Sequence, residues 1–193
     1  MATESLPLEL WLQETGALKS GHFRLSSGLH SPAYVQCALL LEEPRRAQRL
    51  GAAIAERLRH LRLDSVLAPA MGGLIIGYQV AAALDVPFRF VERVDGDMRL
   101  RRGFSLKERE SIVIVEDVVT TGKSTQETVA VAEAMGAEVC AVSSILDRTE
   151  GKHPFRVPFV ALYELVLPTY SPSECPLCAA DQPLEKPGSR PVP

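Results

Sequence analysis

The sequence lacks the charge imbalance and the leader segment that mark several classes of protein. Its 21 basic and 24 acidic residues nearly balance, and the formal net charge is −3. Broad binding to nucleic acid or to an anionic membrane needs a basic excess, so partners of these two kinds are not expected. The first residues, 1–7, contain no basic segment followed by an apolar run, so we expect no secretory signal.

Cysteine is scarce as well. There are four cysteines in 193 residues, and without an export signal we expect them to be reduced, in a cytoplasmic protein. Cys175 and Cys178 form a Cys-x-x-Cys pair, which is half of a zinc site. The four histidines show no metal-binding spacing, and the spare ligands considered for a second half are Cys37, Cys140 and His153. Free thiols are favoured over a site pooled between two chains, and no metal-ligating residue is predicted.

Long uncharged runs are almost absent. The exception is Ser65 to Leu84, which has no charged residue and is long enough to cross a membrane. Pro69, Gly72 and Gly77 interrupt this run, so a buried strand at 65–69, a loop and a buried helix at 73–84 are expected instead of a membrane span.

What remains is a globular chain of alternating strands and helices. The hydrophobic fraction is 46% and the charged fraction 23%, as expected for a folded domain. Apolar residues recur at helical spacing in 44–61 and 124–135, whereas 65–69, 112–115 and 139–146 are short apolar strands. Strand–helix–strand repeats predict an α/β fold with a parallel sheet flanked by helices. Seven of the fourteen prolines lie in 168–193, so residues 1–167 are predicted as one domain with an irregular tail.

One segment carries recognisable chemistry. A buried strand leads to the acid pair Glu116 and Asp117, and a loop rich in hydroxyls then opens a helix. The free N–H groups of a helix start, with hydroxyls beside them, suit a phosphate. Ionised carboxylates only accept hydrogen bonds, so the acids suit the hydroxyls of a sugar. The alternative is an ordinary capped helix with threonine turns.

Two other phosphate-binding motifs are excluded by spacing. Gly122-Lys123-Ser124 would end a nucleotide-triphosphate loop, but Asp117 stands where that loop needs its first glycine. The glycines of 71–77 do not have the spacing of the dinucleotide fingerprint. A phosphorylated sugar is therefore the favoured ligand class.

The segment Val115 to Ser124 resembles the phosphoribosyl pyrophosphate signature of type I phosphoribosyltransferases. More narrowly, the chain from about Gly21 onward resembles orotate phosphoribosyltransferases. Further matching segments are 23–28, 31–34, 68–73, 92–93, 100–104 and 147–148. The resemblance implies a type I phosphoribosyltransferase-like parallel sheet, a small N-terminal hood mostly from 16–40, and a mobile loop at 94–110.

The resemblance also implies a reaction. Such enzymes transfer ribose 5-phosphate from phosphoribosyl pyrophosphate to orotate, giving orotidine 5'-monophosphate and pyrophosphate in pyrimidine biosynthesis. Mg²⁺ would neutralise the pyrophosphate and bridge it to the ribose hydroxyls. The family also implies a homodimer that shares its active sites. The alternatives are a purine-base phosphoribosyltransferase and a regulator that senses phosphoribosyl pyrophosphate on the same fold.

Residue roles follow from the same resemblance. Glu116 and Asp117 would hold the ribose diol, and Thr120, Arg148 and Phe23 would contact orotate, with Tyr34 shaping the base site. The other residues expected to bind phosphoribosyl pyrophosphate are Val118, Val119, Thr120, Thr121, Gly122, Lys123 and Ser124 around the 5-phosphate, together with Arg93, Met71 and Gly72. A non-proline cis peptide is expected at Ala70–Met71.

The catalytic cation is the least determined residue. The family's usual lysines are replaced by Ser26 and by Gly72 or Gly73, and its lysine–histidine pattern is not recognisable between residues 95 and 103. Arg101 and Arg102 are the candidates.

Overall fold

The computed structural model of the chain describes residues 6–25 and 27–187. Ser26 and residues 188–193 of the predicted tail lie outside the described residues. The chain forms two compact units. The hood unit takes its residues from Met1–Leu40 and Val166–Pro193, and the sheet unit is Leu41–Leu165.

The predicted helices and strands are present with some changes of boundary, and a few short elements were not predicted. The helices are α1 Leu8–Glu14, α2 Cys37–Leu40, α3 Pro44–Leu58, α4 Gly73–Leu84, α5 Lys123–Ala134 and α6 Pro176–Ala179. The strands are β1 Leu18–Arg24, β2 His30–Val35, β3 Ser65–Pro69, β4 Phe88–Val94, β5 Asp97–Leu100, β6 Ser111–Val119, β7 Glu138–Asp147 and β8 Phe159–Glu164. A short 3-10 turn covers Pro172–Glu174.

The sheet unit is a six-stranded sheet with helices on both faces. Its strand order is β5-β4-β3-β6-β7-β8, and β4, β3, β6, β7 and β8 are parallel. On one face, Leu67 and Ile114 join Val129 and Ala132 of α5 in a buried apolar core. On the other face α4 lies close to β3. The two elements are so close at Gly77 that an added Cβ would lie 3.0 Å from the Ala68 Cβ. The predicted α/β fold with a parallel-dominated sheet is confirmed.

The edge strand β5 corrects the sequence prediction for 94–110. This stretch was expected to be a loop, but Val94 pairs with Asp97 and β5 runs antiparallel to β4. Asp95 and Gly96 have φ of +52° and +93° and make the two-residue turn between these strands. Both central residues of a tight type I′ hairpin turn need positive φ, and Asp-Gly is a preferred pair for it.

The hood unit joins the N-terminal hairpin to the C-terminal segment. Strands β1 and β2 are antiparallel. Backbone hydrogen bonds of 2.9 Å link His30 and Tyr170 in both directions, and Arg24 N–H donates to the Glu185 carbonyl at 2.8 Å. The Ser31 hydroxyl donates to the Pro168 carbonyl at 2.9 Å. The described tail residues therefore extend the hairpin by isolated bridges, without a long regular element.

Within the described ranges, 6–25 and 27–187, no helix is both long and apolar enough to span a membrane.

Candidate active site

The predicted sugar-phosphate residues meet at one edge of the sheet unit. Strands β3 and β6 are neighbours, and their carboxyl ends lead into the loop at 70–72 and the acid pair with its following loop. The two segments are in close contact, because a Cβ added to Gly72 would lie 2.6 Å from Oδ1 of Asp117. Ligands of open parallel sheets bind beyond the carboxyl ends of such strands.

The acid pair lies at the end of a strand that is longer than predicted. Strand β6 continues past Val115 through Glu116 and Asp117 to Val119. Glu116 is buried and Asp117 half-buried. The Val118 N–H donates to Oδ1 of Asp117 at 2.8 Å. Burial raises the pKa of the Asp117 carboxyl above its usual range, although the Val118 N–H opposes this rise. The site thus holds a poorly solvated carboxylate that gains from hydrogen-bond donors on a ligand.

The hydroxyl loop connects this acid pair to helix α5. Gly122 adopts a left-handed conformation with φ +73° and precedes Lys123, the first residue of the helix. Thr120, Thr121 and Lys123 are exposed. Ser124 lies in the first turn, where backbone N–H groups have no partner within the helix. The exposed hydroxyls and the helix start therefore lie together, as the phosphate-binding prediction requires.

Val118 and Val119 place the loop relative to the next strand. Val119 is buried, and its carbonyl accepts a hydrogen bond from the Arg148 N–H at 2.8 Å. Arg148 follows β7 directly and is half-buried. The predicted orotate ligands Thr120 and Arg148 therefore follow the ends of the neighbouring strands β6 and β7.

The loop at 70–72 has the predicted backbone. The Ala70–Met71 peptide is cis, as expected from the family resemblance. The Ala70 N–H donates to the Val91 carbonyl at 2.7 Å, which ties this loop to β4. Met71 is 75% exposed, so its side chain does not fill the space beside Asp117.

The predicted catalytic arginines converge on one carboxylate. Arg101 Nη1 lies 3.5 Å from Glu92 Oε1, and Arg102 Nη2 lies 2.9 Å from Glu92 Oε2. The guanidinium carbon of Arg102 also lies 5.8 Å from the centre of the Phe90 ring. Both arginine side chains are more than half exposed, so they can leave Glu92 at little cost. Glu92 lies in a segment that matches the family, but the sequence does not predict its pairing with the arginines.

Arg93 is also engaged. Its guanidinium donates to Glu127 of α5 and to the Gly96 carbonyl. Glu127 lies in the same helix that the hydroxyl loop opens. The ion pair with Glu127 connects β4 to the first half of α5. For Arg93 to bind phosphoribosyl pyrophosphate directly, this ion pair would have to break. If it stays intact, Arg93 would act only by orienting the helix.

Phe23 lies in the hood unit. It is 2% exposed, and its ring centre lies 5.8 Å from that of Tyr34. A Cβ on Gly21 would lie 2.9 Å from the Phe23 ring, so this glycine gives the ring its space. The burial fits a packing role in the hood, and the predicted contact of Phe23 with orotate stays a prediction.

One group of residues was missed from the sequence. His22 and His30 lie beside Cys175 and Cys178, and one nitrogen or sulfur atom of each lies within 4.8 Å of the others. Cys37, Cys140 and His153, the spare ligands considered from the sequence, are not in this cluster. No spacing rule could find it, because Cys178 and His30 are 148 positions apart.

The chain is similar to known proteins over most of its length. Residues 38–166 match the phosphoribosyl transferase domain family. The orotate phosphoribosyltransferase of Carboxydothermus hydrogenoformans is 50% identical over 179 residues, which cover 92% of this chain and 94% of that protein. The chain belongs to the orotate phosphoribosyltransferase family.

Solved structures support the same fold. The orotate phosphoribosyltransferase of Aeropyrum pernix aligns with a TM-score of 0.65 at 28% identity, covering 82% of this chain and 93% of that one. The UMP synthase of Leishmania donovani aligns with a TM-score of 0.73 at 24% identity, covering 84% of this chain. This chain spans 37% of that longer protein, and the likeness shows the fold alone.

Proposed function

We propose that the protein transfers the ribose 5-phosphate group of phosphoribosyl pyrophosphate to orotate in pyrimidine biosynthesis. The bond between ribose C1 and the pyrophosphate oxygen breaks, and a nitrogen of orotate, which loses its proton, bonds to C1. The observation that carries the proposal is the contact between the loop at Gly72 and the carboxylate of Asp117. This contact places the proposed pyrophosphate loop beside the proposed ribose site. The reaction itself is inferred from membership of the family.

The acid pair and the hydroxyl loop divide the donor. Glu116 and Asp117 accept hydrogen bonds from the ribose hydroxyls, which donate to ionised carboxylates. The backbone N–H groups and hydroxyls of 118–124 surround the 5-phosphate, where the positive end of the α5 dipole also lies. The two ends of the loop thus bind opposite ends of the same sugar.

The pyrophosphate faces the glycine of the neighbouring loop. Because Gly72 has no side chain, the backbone at 71–72 can approach an anion closely. Arg101 and Arg102 are exposed cations and supply positive charge to the departing pyrophosphate. If the two arginines leave Glu92 and bind the pyrophosphate instead, substrate binding would draw the segment that carries them over the site.

The donor set around the acid pair fits Mg²⁺. Its side-chain ligands are carboxylate and hydroxyl oxygens, which Mg²⁺ prefers, and it binds proteins through one or two carboxylates plus substrate phosphates. Asp117 and Glu116 would hold it together with the substrate. When bound, it neutralises charge on the pyrophosphate.

Arg148 carries the choice of base. Orotate has a carboxylate that neutral purine bases lack, and a guanidinium binds a carboxylate through two parallel hydrogen bonds. We therefore expect Arg148→Lys to raise the KM for orotate by about ten-fold or more and to leave the KM for phosphoribosyl pyrophosphate unchanged. Arg156→Lys, an exposed arginine of the same unit, is the control.

Two further features belong to the proposal. We propose a homodimer with shared active sites, on the strength of the family alone. A cytoplasmic location is supported by four cysteines that are all free of disulfides.

The test is an absorbance assay with Mg²⁺, phosphoribosyl pyrophosphate and orotate, run in parallel with adenine, hypoxanthine, xanthine and uracil. Orotate-dependent turnover that is lost in Asp117→Asn and kept in Asp97→Asn is the expected result. Turnover with a purine alone would overturn the choice of base and keep the sugar-phosphate site. Binding of phosphoribosyl pyrophosphate without turnover of any base would favour a regulator.

A further inference from the structure

Two histidines and two cysteines converge in the hood unit, and none of them has a role in the proposed reaction. The four atoms concerned are Nε2 of His22, Nδ1 of His30 and the Sγ atoms of Cys175 and Cys178. All lie within 4.8 Å of one another. His22, His30 and Cys175 are buried, and Cys178 is exposed.

The separations match those of a tetrahedral zinc site. With Zn–N of about 2.0–2.1 Å and Zn–S of about 2.3 Å, tetrahedral ligands place two nitrogens about 3.3 Å apart and a nitrogen and a sulfur about 3.6 Å apart. The two nitrogens here are 3.0 Å apart. The three nitrogen–sulfur distances given by these contacts are 3.3, 3.5 and 3.7 Å.

Hydrogen bonding alone does not account for this convergence. Nε2 of His22 has three close neighbours, namely Nδ1 of His30 and both Sγ atoms. When the other nitrogen of a neutral imidazole carries the proton, this nitrogen offers a single lone pair. Three donors cannot share one lone pair with good geometry, whereas one cation can accept a lone pair from each of the four atoms.

The protonation of His22 is already set for metal binding. Its Nδ1 lies 2.9 Å from the Gln182 carbonyl, which can only accept a hydrogen bond. The proton therefore resides on Nδ1, and the lone pair of Nε2 points into the cluster. Histidines that bind metals usually donate their second ring N–H to a carbonyl or carboxylate in this way.

We propose that these four side chains bind one Zn²⁺ ion. Two thiolates and two imidazoles form a ligand set that zinc prefers in structural sites. All four positions are taken by protein atoms, so no place is left for water or substrate, and the ion has a structural role. It is separate from the Mg²⁺ of the proposed reaction, whose ligands are oxygens of the sheet unit.

The ion would hold the C-terminal segment to the hairpin. His22 lies on β1 and His30 on β2, whereas Cys175 and Cys178 flank the start of α6. Strand pairing between the described part of the tail and the hairpin is limited to isolated bridges at Phe23–Glu185 and His30–Tyr170, with side-chain hydrogen bonds from Ser31 and His22 beside them. A zinc ion would convert these few hydrogen bonds into a cross-link between segments that are far apart in the sequence.

The first test is the metal content of the full chain, purified with a reductant and without chelators. We expect about one zinc ion per chain, measured by inductively coupled plasma mass spectrometry. A Cys175→Ser/Cys178→Ser variant should lose zinc by about ten-fold or more. Cys140→Ser is the matched control, because Cys140 lies on β7 outside the cluster, and it should keep its zinc.

The second test does not depend on a variant that folds. The metal-free wild-type chain is titrated with Co²⁺, and tetrahedral d–d bands with a thiolate charge-transfer band are expected. Hydrogen exchange should slow in 18–35 and 168–187 on adding Zn²⁺, and should not change in β3 of the sheet unit. Three results would each overturn the proposal. The first is a wild-type chain with no stoichiometric zinc and no tetrahedral cobalt spectrum. The others are a Cys175–Cys178 disulfide in the purified protein and an equal loss of zinc in Cys140→Ser.

Discussion

Gly72 and Asp117 are so close that the glycine cannot acquire a side chain without moving the carboxylate. A Cβ at Gly72 would lie 2.6 Å from Oδ1 and 2.9 Å from Oδ2 of Asp117. The φ of Gly72 is −56°, which suits any residue, so its backbone does not require glycine. The need for glycine here comes from the neighbouring acid, which belongs to the ribose site of the proposed reaction.

This contact predicts the effect of Gly72→Ala. The methyl group should displace the Asp117 carboxylate, and a displacement of about 1 Å lowers kcat/KM by about 100-fold. Steady-state kinetics with phosphoribosyl pyrophosphate as the varied substrate measure this effect. Gly16→Ala is the control, because Gly16 has φ +64° and open space around its Cβ position. It should lower stability by about 1 kcal/mol and leave kcat/KM unchanged. An unchanged kcat/KM in Gly72→Ala, with a large loss in Gly16→Ala, would contradict the placement of Asp117 in the ribose site.

The buried charge of Asp117 predicts an opposition between stability and activity. Burial raises the pKa of Asp117 in the folded chain above that in the unfolded chain. The folded state therefore binds the proton more tightly, and stability falls as pH rises from about 3.9 through the folded-state pKa. Asp117→Asn should raise the melting temperature of the ligand-free protein at neutral pH while abolishing turnover.

The comparison with wild type should be made across pH. The gain in melting temperature of Asp117→Asn should shrink as pH falls, because the wild-type carboxyl then becomes neutral too. Asp97→Asn, an exposed acid, should show no such gain. A variant that is less stable than wild type at neutral pH would show that the ionised carboxylate is not a burden to the fold.

Glu110 behaves in the opposite way. Burial alone would raise its pKa, but hydrogen bonds from the Lys107 N–H at 2.7 Å, the Ser65 hydroxyl and Arg89 lower it below the usual range. Its contribution to stability is present above the unfolded pKa of about 4.3 and is lost as pH falls through the folded-state value. Glu110→Gln should therefore lower the free energy of unfolding by about 3 kcal/mol at pH 7.

Urea unfolding at several pH values measures this contribution. The difference between wild type and Glu110→Gln should narrow as pH falls from about 4.3 through the lowered folded-state pKa, below which the glutamate is protonated in both states. Glu108→Gln, an exposed neighbour, should change stability by less than about 0.5 kcal/mol at any pH. A constant difference between wild type and Glu110→Gln across pH would mean that packing, and not charge, is the cause.

The arginines that share Glu92 should affect catalysis more than stability. Arg101→Ala and Arg102→Ala should each lower kcat by about 100-fold if they stabilise the leaving pyrophosphate. Their loss should change the free energy of unfolding by less than about 0.5 kcal/mol, because both are exposed. Arg99→Ala, whose partner is the exposed Asp97, is the control in the same hairpin. Wild-type rates in both variants would refute the assignment.

Much of the sheet unit follows from local sequence pattern. Strand β3 and helix α4 have the predicted bounds, 65–69 and 73–84, because apolar continuity, proline and glycine mark both ends. Strand β6 is longer than predicted, since the charged pair Glu116 and Asp117 was taken to end it. Pairing with β7 up to Asp147 keeps these acids in the strand.

Other features depend on contacts that no local pattern reports. The Asp95-Gly96 pair is typical of a hairpin turn, but the charged residues around it favour a loop. The sharing of Glu92 by Arg101 and Arg102, the packing of Gly72 on Asp117, and the meeting of His22 with Cys175 all require three-dimensional information. The residues of the proposed site come from the family resemblance, whereas the partners of these residues came from the structure.

The hood unit is built from two separate stretches of the chain, and this arrangement determines the order in which the protein can fold during synthesis. The sheet unit is a continuous stretch, 41–165, and domains generally fold as units as the chain emerges from the ribosome. The hood unit uses both ends of the sequence, so the hairpin of β1 and β2 must wait for residues 168–187 before its backbone bonds to Tyr170 and Glu185 can form. At about 5–20 residues per second, this wait lasts several seconds to half a minute. The hairpin is therefore translated before the sheet unit and reaches its final structure after it.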